Sequence, residues 1–400
     1  MRIVSQYTLF IKKNIRMERI YTSLGLMSGT SMDGVDISII ESDGIGEYSS
    51  ILDKYFEYDQ NLYLKILKIR QKINNKNDLT RYNDEIQSVE REITLFNAKV
   101  ANETIKSSKS KIDLIGFHGQ TIFHSPKEKT TKQLGDGKLL SQLVKKKVVY
   151  DFRQNDIKNG GQGAPLTPIF HNILANRFNQ KFNISFPIYF LNIGGITNIT
   201  KTVKDENLFK SQEMQAYDIA PGNCLIDDWI KKNSNKKYDH KGSIARSGKP
   251  DELILNQAIE NFTNDIDYNK SLDIKDYDIS FVKGLPIDTG AATITNFTAK
   301  LISDGIKYVY TEDQTKKKSC IVCGGGRKND FLLERIKKNL ESYKNLDIEL
   351  IEKYKINGDF VESQAFAYLA IRTIKNLSIS FPSTTRCPKP LTGGKIIENF

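Results

Sequence analysis

Cysteine is scarce in this chain of 400 residues: there are four, Cys224, Cys320, Cys323 and Cys387. That is too few to staple a fold of this size, which excludes a disulfide scaffold and fits a reducing compartment. Cys320 and Cys323 have redox or zinc spacing, but they sit in the apolar run Cys320-Ile321-Val322-Cys323. In a strand, positions i and i+3 point to opposite faces, and no second Cys/His pair completes a tetrahedral site. The thiols therefore read as buried and structural. Long apolar runs are also missing: nothing approaches the ~18–20 residues of a membrane helix. The basic stretch 1–16 has Leu9-Phe10-Ile11 as its longest apolar run, too short for a signal-peptide core. A cleaner start follows at Met17, so residues 1–22 are set apart as an N-terminal extension. Two familiar nucleotide loops are absent as well. There is no Gly-x-x-x-x-Gly-Lys-Ser/Thr, and no Gly-x-Gly-x-x-Gly follows the first strand.

What is present is globular. Hydrophobic residues make up 39% and charged residues 27%, enough for a sizeable core. The length suggests two domains, since single cores stop growing near roughly 250–300 residues. Net charge is +11, which raises nucleic acid or a membrane surface as partners. The lysines are dispersed, however, and the runs Lys145–Lys147 and Lys316–Lys318 fall at element edges. With no basic stripe interleaved with aromatics, neither nucleic acid nor membrane is the expected partner.

Short β-branched runs split by Gly, Asp and Ser predict three strands, at Ser23–Met27, Val35–Ile40 and Ser50–Tyr58. Two helices follow, with Leu62, Ile66, Ile69 and Ile73 on one face and Ile86, Val89, Ile93, Phe96 and Val100 on the next. A strand at Ile112–Phe117 ends at His118-Gly119-Gln120-Thr121. The second half repeats the grammar, with strands at Ile188–Ile193, Thr197–Thr200, Met214–Ile219 and Cys320–Cys323. Helices carry Leu225, Ile226, Trp229 and Ile230, then Phe331, Leu332, Ile336 and Leu340, and finally Val361–Ile374. A strand–glycine-turn–strand hairpin thus occurs at Gly29 and again at Gly194, too far apart for a solenoid repeat. This suits two related α/β lobes, each contributing one loop. The polar segment 261–283 is expected at the surface.

Four constellations can carry chemistry. In Gly29-Thr30-Ser31-Met32-Asp33-Gly34, glycines let backbone N–H groups approach phosphate oxygens, and two hydroxyls add donors. Asp33 and Asp36 can hold hydrated Mg²⁺. An ordinary hairpin turn has the same composition. In Arg153-Gln154-Asn155-Asp156, followed by Gly160-Gly161-Gln162-Gly163-Ala164-Pro165, the small residues let backbone lie against a ligand. Asp156 there is either a general base or the cap of a surface loop. Gly324-Gly325-Gly326 either admits a flat ligand to a helix N-terminus or makes a tight turn. His118, with His124 nearby, either binds substrate or satisfies the core.

Taken in order, 25–36, 116–121, 153–171, Leu-Asn-Ile-Gly-Gly-Ile-Thr-Asn-Ile-Thr at 191–200, Ala-Pro-Gly-Asn at 220–223 and Cys-Gly-Gly-Gly at 323–326 resemble the anhydro-N-acetylmuramic acid kinases. Those belong to the actin–hexokinase–sugar kinase superfamily. The resemblance spans about residues 20–385 and implies two ribonuclease-H-like lobes with mixed sheets, flanking helices and ATP in the cleft. Lobe I would take 23–150 and 376–400, and lobe II 151–375. Gly29, Thr30, Ser31, Met32, Asp33, Gly34, Val35 and Asp36 would form the first phosphate loop. Gly194 and Gly195 would form the second, and Gly324, Gly325 and Gly326 would face the adenosine. Asp156 and Glu362 would be catalytic, while His118, Gly119, Gln120, Thr121 and Gln162 would bind the sugar.

The activity implied is opening of a 1,6-anhydro bridge by water with ATP-dependent phosphorylation of O6, in cell-wall recycling. The implied setting is cytoplasmic, with Mg²⁺ as cofactor, a small amino sugar as substrate and a homodimer as the assembly. Three stretches depart from the family pattern. Asp218-Ile219-Ala220-Pro221-Gly222-Asn223 has alanine for a glycine; a Lys-Ser-Thr-Gly-Arg stretch is missing near Tyr277–Ser280; and Pro382-Ser383-Thr384-Thr385 ends in Arg386 for glycine. A non-catalytic ATP-binding relative would need the loops without the base, and a filament former would need extended apolar flanks.

Overall fold

The computed structural model describes residues 19–204, 213–263, 267–311, 313 and 315–400. Most of the expected N-terminal extension therefore lies outside the described residues, and the first strand begins inside it, at Tyr21. Two sheets are built in the same way. In the first, β1 (Tyr21–Ser28), β2 (Gly34–Ser42) and β3 (Tyr48–Glu57) form an antiparallel meander. β4 (Leu114–Ser125) lies parallel to β1 on its other side, and β6 (Lys147–Tyr150) parallel to β4. β5 (Thr130–Leu134) folds back on β4, and β12 (Lys395–Ile397) closes the edge beside β6. In the second sheet β7 (Tyr189–Ile193), β8 (Ile196–Lys201) and β9 (Gln215–Pro221) make the meander. β10 (Lys318–Cys323) and β11 (Leu346–Leu350) add in parallel beside β7. With β5 and the edge strand β12 set aside, both sheets place their strands third–second–first–fourth–fifth, as the expected ribonuclease-H-like lobes should.

The strands follow from their side chains: β1, β2, β7 and β10 are almost wholly buried, as continuous apolar runs covered on both faces should be. Cys320 and Cys323 are both buried and free. Helices α1 (Gln60–Lys72) and α2 (Asn83–Ser108) bury Leu62, Ile66, Ile69, Ile86, Val89 and Ile93 against the first sheet. Helices α3 (Pro168–Phe182), α4 (Cys224–Asn233), α5 (Ile287–Val309) and α6 (Asp330–Asn339) lie with the second half of the chain, α4 to α6 in its core. Asn329 caps α6, its side chain accepting from Leu332 N–H at 3.0 Å. Among the described residues no helix is long and apolar enough to cross a membrane.

The last long helix, α7 (Val361–Ile374), corrects the expected lobe division. It was assigned with 151–375 to lobe II, but it packs on β1, β2 and β4 of the first sheet. The reason is a row of small residues. Ser38, Gly25 and Gly116 stand side by side across β2, β1 and β4. A Cβ at Gly25 would lie 1.9 Å from Ser363 O, and one at Gly116 2.2 Å from Phe366 O. Ser38 Oγ and Ser363 Oγ are 2.6 Å apart. The helix backbone rests directly on the sheet, and that close approach aims Glu362, in its first turn, at the space between the lobes.

Candidate active site

β4 is longer than expected, and its irregularity matters. Leu26 pairs with Phe117 but Met27 pairs with Gly119, so His118 is the extra residue of a β-bulge. Gly119 takes φ +75, and a Cβ there would meet Leu134 O at 2.2 Å. The bulge turns His118 toward Arg153, whose Nε and Nη2 lie 3.2 and 3.0 Å from His118 Nε2. Burial, and then the Arg153 charge, hold the imidazole well below its usual pKa. His118 is thus a neutral acceptor for a buried guanidinium. Arg153 also donates to Gly163 O at 2.8 Å.

The lobes enclose a cleft of about 200 Å³. Gly29 and Thr30 enter from the first hairpin turn; Gly194, Gly195 and Ile196 enter from the second. A Cβ on Gly195 would come within 2.7 Å of Thr30 Oγ1, so the two loops do face each other. The turn 220–223 braces the second loop: Gly222 N–H donates to Gly195 O at 2.9 Å and Asn223 N–H to Gly194 O at 2.8 Å. Ala220, the departure from the family pattern, is fully buried in the second core. His118, Gln120 and Thr121 line the cleft as expected, and so does Glu362, which accepts from Asn192 Nδ2 at 3.3 Å. Burial raises the Glu362 pKa, opposed by Arg153 and Asn192.

Other expected residues stand elsewhere. Met32 and Val35 are buried in the first core. Ser31 donates to Asp33 Oδ1 within the turn, and Gly34 packs against Phe56 O, where a Cβ would lie at 2.4 Å. Gly324, with φ +79, packs against Asn192 Oδ1; Gly325 lies nearest Asn223, and Gly326 against Ile193. That glycine turn flanks the second glycine loop. Gln162 Oε1 accepts from Ser271 N–H at 3.4 Å, behind the cleft wall.

Asp156, expected to be catalytic, holds its own glycine loop. It is 2% exposed. Its Oδ1 accepts from Gly163 N–H and its Oδ2 from the Thr385 hydroxyl, both at 2.6 Å. These bonds tie the glycine loop to the C-terminal turn and leave each oxygen a further lone pair. A carboxylate that lines the cleft beside the second glycine loop is Asp218, on β9 opposite Asn198. Burial pushes its pKa up to about 6, against the pull of Leu272 N–H, Ser271, Arg153 and Arg386. Leu272 N–H donates to its Oδ2 at 3.1 Å. Among the described residues, three polar atoms of the cleft lining are buried without a partner, Gln120 Oε1, Asn198 Oδ1 and His124 Nε2. Buried polar atoms are rarely left so, and a ligand bearing hydroxyl or amide N–H groups would satisfy them.

The segment 261–283, expected at the surface, reaches into the cleft instead: Leu272, Asp273 and Ile274 line it. Lys275 Nζ anchors this strap to the first lobe, donating to Ile73 O at 2.6 Å and Asn74 Oδ1 at 3.0 Å. Arg70, Asn192 and Asn198 also line the cleft. Asp218 carried a signal, since it precedes the Pro-Gly-Asn turn. Arg70 carried none, being one basic residue in a helix's last turn.

Asp36 tests the metal assignment. Burial, then Glu362, Asp359 and Asp33, push its pKa up to about 8. Such a crowd of carboxylates would be relieved by a cation, yet no three acidic, His or Cys side chains among the described residues stand close enough to hold one directly. Asp33 and Asp36 fit an ion held through water.

Fold and site together define a two-lobed α/β protein with a glycine loop from each lobe facing across a polar, carboxylate-bearing cleft. Residues 21–399 match the family model of anhydro-N-acetylmuramic acid kinase, and the chain belongs to that family. It is 52% identical over 385 residues to the anhydro-N-acetylmuramic acid kinase of Pelagibacter ubique, covering 96% of this chain and 100% of that one. It is 37% identical to the Zymomonas mobilis kinase of the same name over 380 residues, covering 94% and 99% of the two chains. A glucose-bound hexokinase from Schistosoma mansoni shares the outline only slightly, with a TM-score of 0.41, 11% identity and 88% and 85% of the chains covered.

Proposed function

We propose that this chain, a kinase and so a phosphotransferase acting on an alcohol group, opens 1,6-anhydro-N-acetylmuramic acid with water and phosphorylates the freed O6 from ATP. Water adds to C1, the C1–O6 bridge breaks, and O6 takes the γ-phosphoryl group as ADP leaves. The products are N-acetylmuramic acid 6-phosphate and ADP. The carrying observation is Asp218, a buried carboxylate facing the cleft beside Gly194-Gly195 with a pKa of about 6. It is the base that takes the proton of the attacking water. Asp156 holds the loop that shapes the wall. Gln120 Oε1 and Asn198 Oδ1 receive sugar hydroxyl or amide N–H groups. Arg153, oriented by neutral His118, sets positive charge near Glu362 and Asp218. Backbone N–H groups at Gly29-Thr30 and Gly194-Gly195 approach the phosphates from both lobes. Mg²⁺, held through water by Asp33 and Asp36, would neutralise phosphate charge when bound with ATP.

The family reading extends to a cytoplasmic homodimer, which sedimentation of the purified chain tests. Incubation with ATP, Mg²⁺ and the anhydro sugar should release ADP and sugar phosphate in equal amounts. In ¹⁸O-water the label should enter at C1; label in the phosphate, or no turnover with ATP still bound, overturns the reading.

A further inference from the structure

Among the described residues, Arg70 is a part-buried cation without a hydrogen bond. It sits in the last turn of α1 with its side chain 15% exposed, lining the cleft beside Gln120, Thr121 and His124. It also lines a smaller adjoining cavity with Asn74, Glu128, Lys275 and Asp276. Among the described residues its nearest anion is Asp273 Oδ1 at 4.0 Å, beyond hydrogen-bond reach. The other cleft arginine, Arg153, is already committed to His118 and Gly163.

The acids around Arg70 have partners of their own. Asp273 Oδ1 accepts from Lys275 N–H at 3.0 Å and caps a short turn; Asp276 Oδ2 accepts from Asp273 N–H at 2.7 Å. Glu128 Oε2 accepts from Lys76 N–H at 2.8 Å. Lys275 is spent on Ile73 and Asn74. Arg70 adds to the positive field on Lys275, lowering its pKa alongside burial. A largely buried guanidinium with unmet donors is costly unless an anion joins it, and its planar fork suits a carboxylate.

On the reading above, the substrate brings that anion. Muramic acid differs from glucosamine by a lactyl ether at O3 that ends in a carboxylate. We infer that Arg70 reads this lactyl carboxylate and so selects the muramyl sugar over the glucosaminyl one. The inference rests on the proposed function but stands on a separate group.

The test compares 1,6-anhydro-N-acetylmuramic acid with 1,6-anhydro-N-acetylglucosamine, which lacks the lactyl arm. In Arg70→Gln the preference in kcat/KM for the muramyl sugar should fall about ten- to a hundredfold. The loss should lie mainly in KM, and Arg70→Lys should recover part of it. If Arg70 merely ties the lobes through Asp273, then Arg70→Gln and Asp273→Asn lose equally on both sugars; that pattern, or an unchanged preference, overturns the inference. Should the wild type turn over neither sugar, the kinase reading fails by itself. Calorimetry with N-acetylmuramic acid then decides: weaker binding to Arg70→Gln than to wild type upholds the role of Arg70, and equal or absent binding overturns it.

Discussion

At the scale of single residues, the decisive contrast is between two aspartates. Both stand in glycine-bearing motifs; the residues alone leave Asp156 as a base or a loop cap, and the family resemblance is what points to it as catalytic. What sequence could not show is where its oxygens point: onto Gly163 N–H and Thr385 Oγ1. Asp218→Asn is expected to lower turnover about 10²–10⁴-fold with ATP affinity within a few-fold, as read by steady-state kinetics and nucleotide titration. Asp156→Asn should keep most of the turnover, because an amide can still pair with both groups. The free enzyme's kcat/KM should fall about tenfold per unit below pH ~6 as Asp218 protonates, and stay level above. The same shift bears on stability. With a folded pKa of about 6 against an ordinary 3.8, the folded state binds the proton more tightly. Stability therefore falls as pH rises from about 4 to 6, and the cost remains above. Asp218→Asn should be the more stable protein at pH 7, by on the order of 3 kcal/mol, and equal to wild type below pH ~4 in urea melts. Arg386 adds a smaller lesson. Glycine is the family pattern there because φ is +63; the arginine tolerates that position while donating to Ser383 O and Ala216 O.

At the scale of elements, periodicity marked most helices and strands, because their buried faces are regular. The bulge at His118 and the reach of β4 to Ser125 escaped, since one extra residue in a ladder leaves no mark on composition. The placement of α7 also escaped: its buried residues fit either sheet, and the choice rests on glycines in distant strands. Gly25→Ala and Gly116→Ala should each cost about 1–3 kcal/mol or more, because a methyl would meet backbone that flexible side chains cannot yield. Thermal unfolding measures that loss. In variants that still fold, turnover should drop with it, since α7 carries Glu362.

At the scale of the whole molecule, the repeated hairpin foretold two like lobes, and both sheets have the same strand order. The strap at 272–276 was illegible: polar residues that bridge two lobes look like polar residues at a surface. Lys275→Met should free it from α1, and the Leu272 amide, now bonded to Asp218, should exchange about tenfold faster. The return of α7 to the first sheet has one more consequence, for synthesis. The second sheet is complete once β11 has left the ribosome. The first has no cover on its Ser38–Gly25–Gly116 row until Val361–Ile374 follows. At roughly 5–20 residues per second, that face waits bare on the nascent chain for on the order of ten seconds or more. The lobe begun first is thus finished last, and its open glycine row is where a chaperone is most needed.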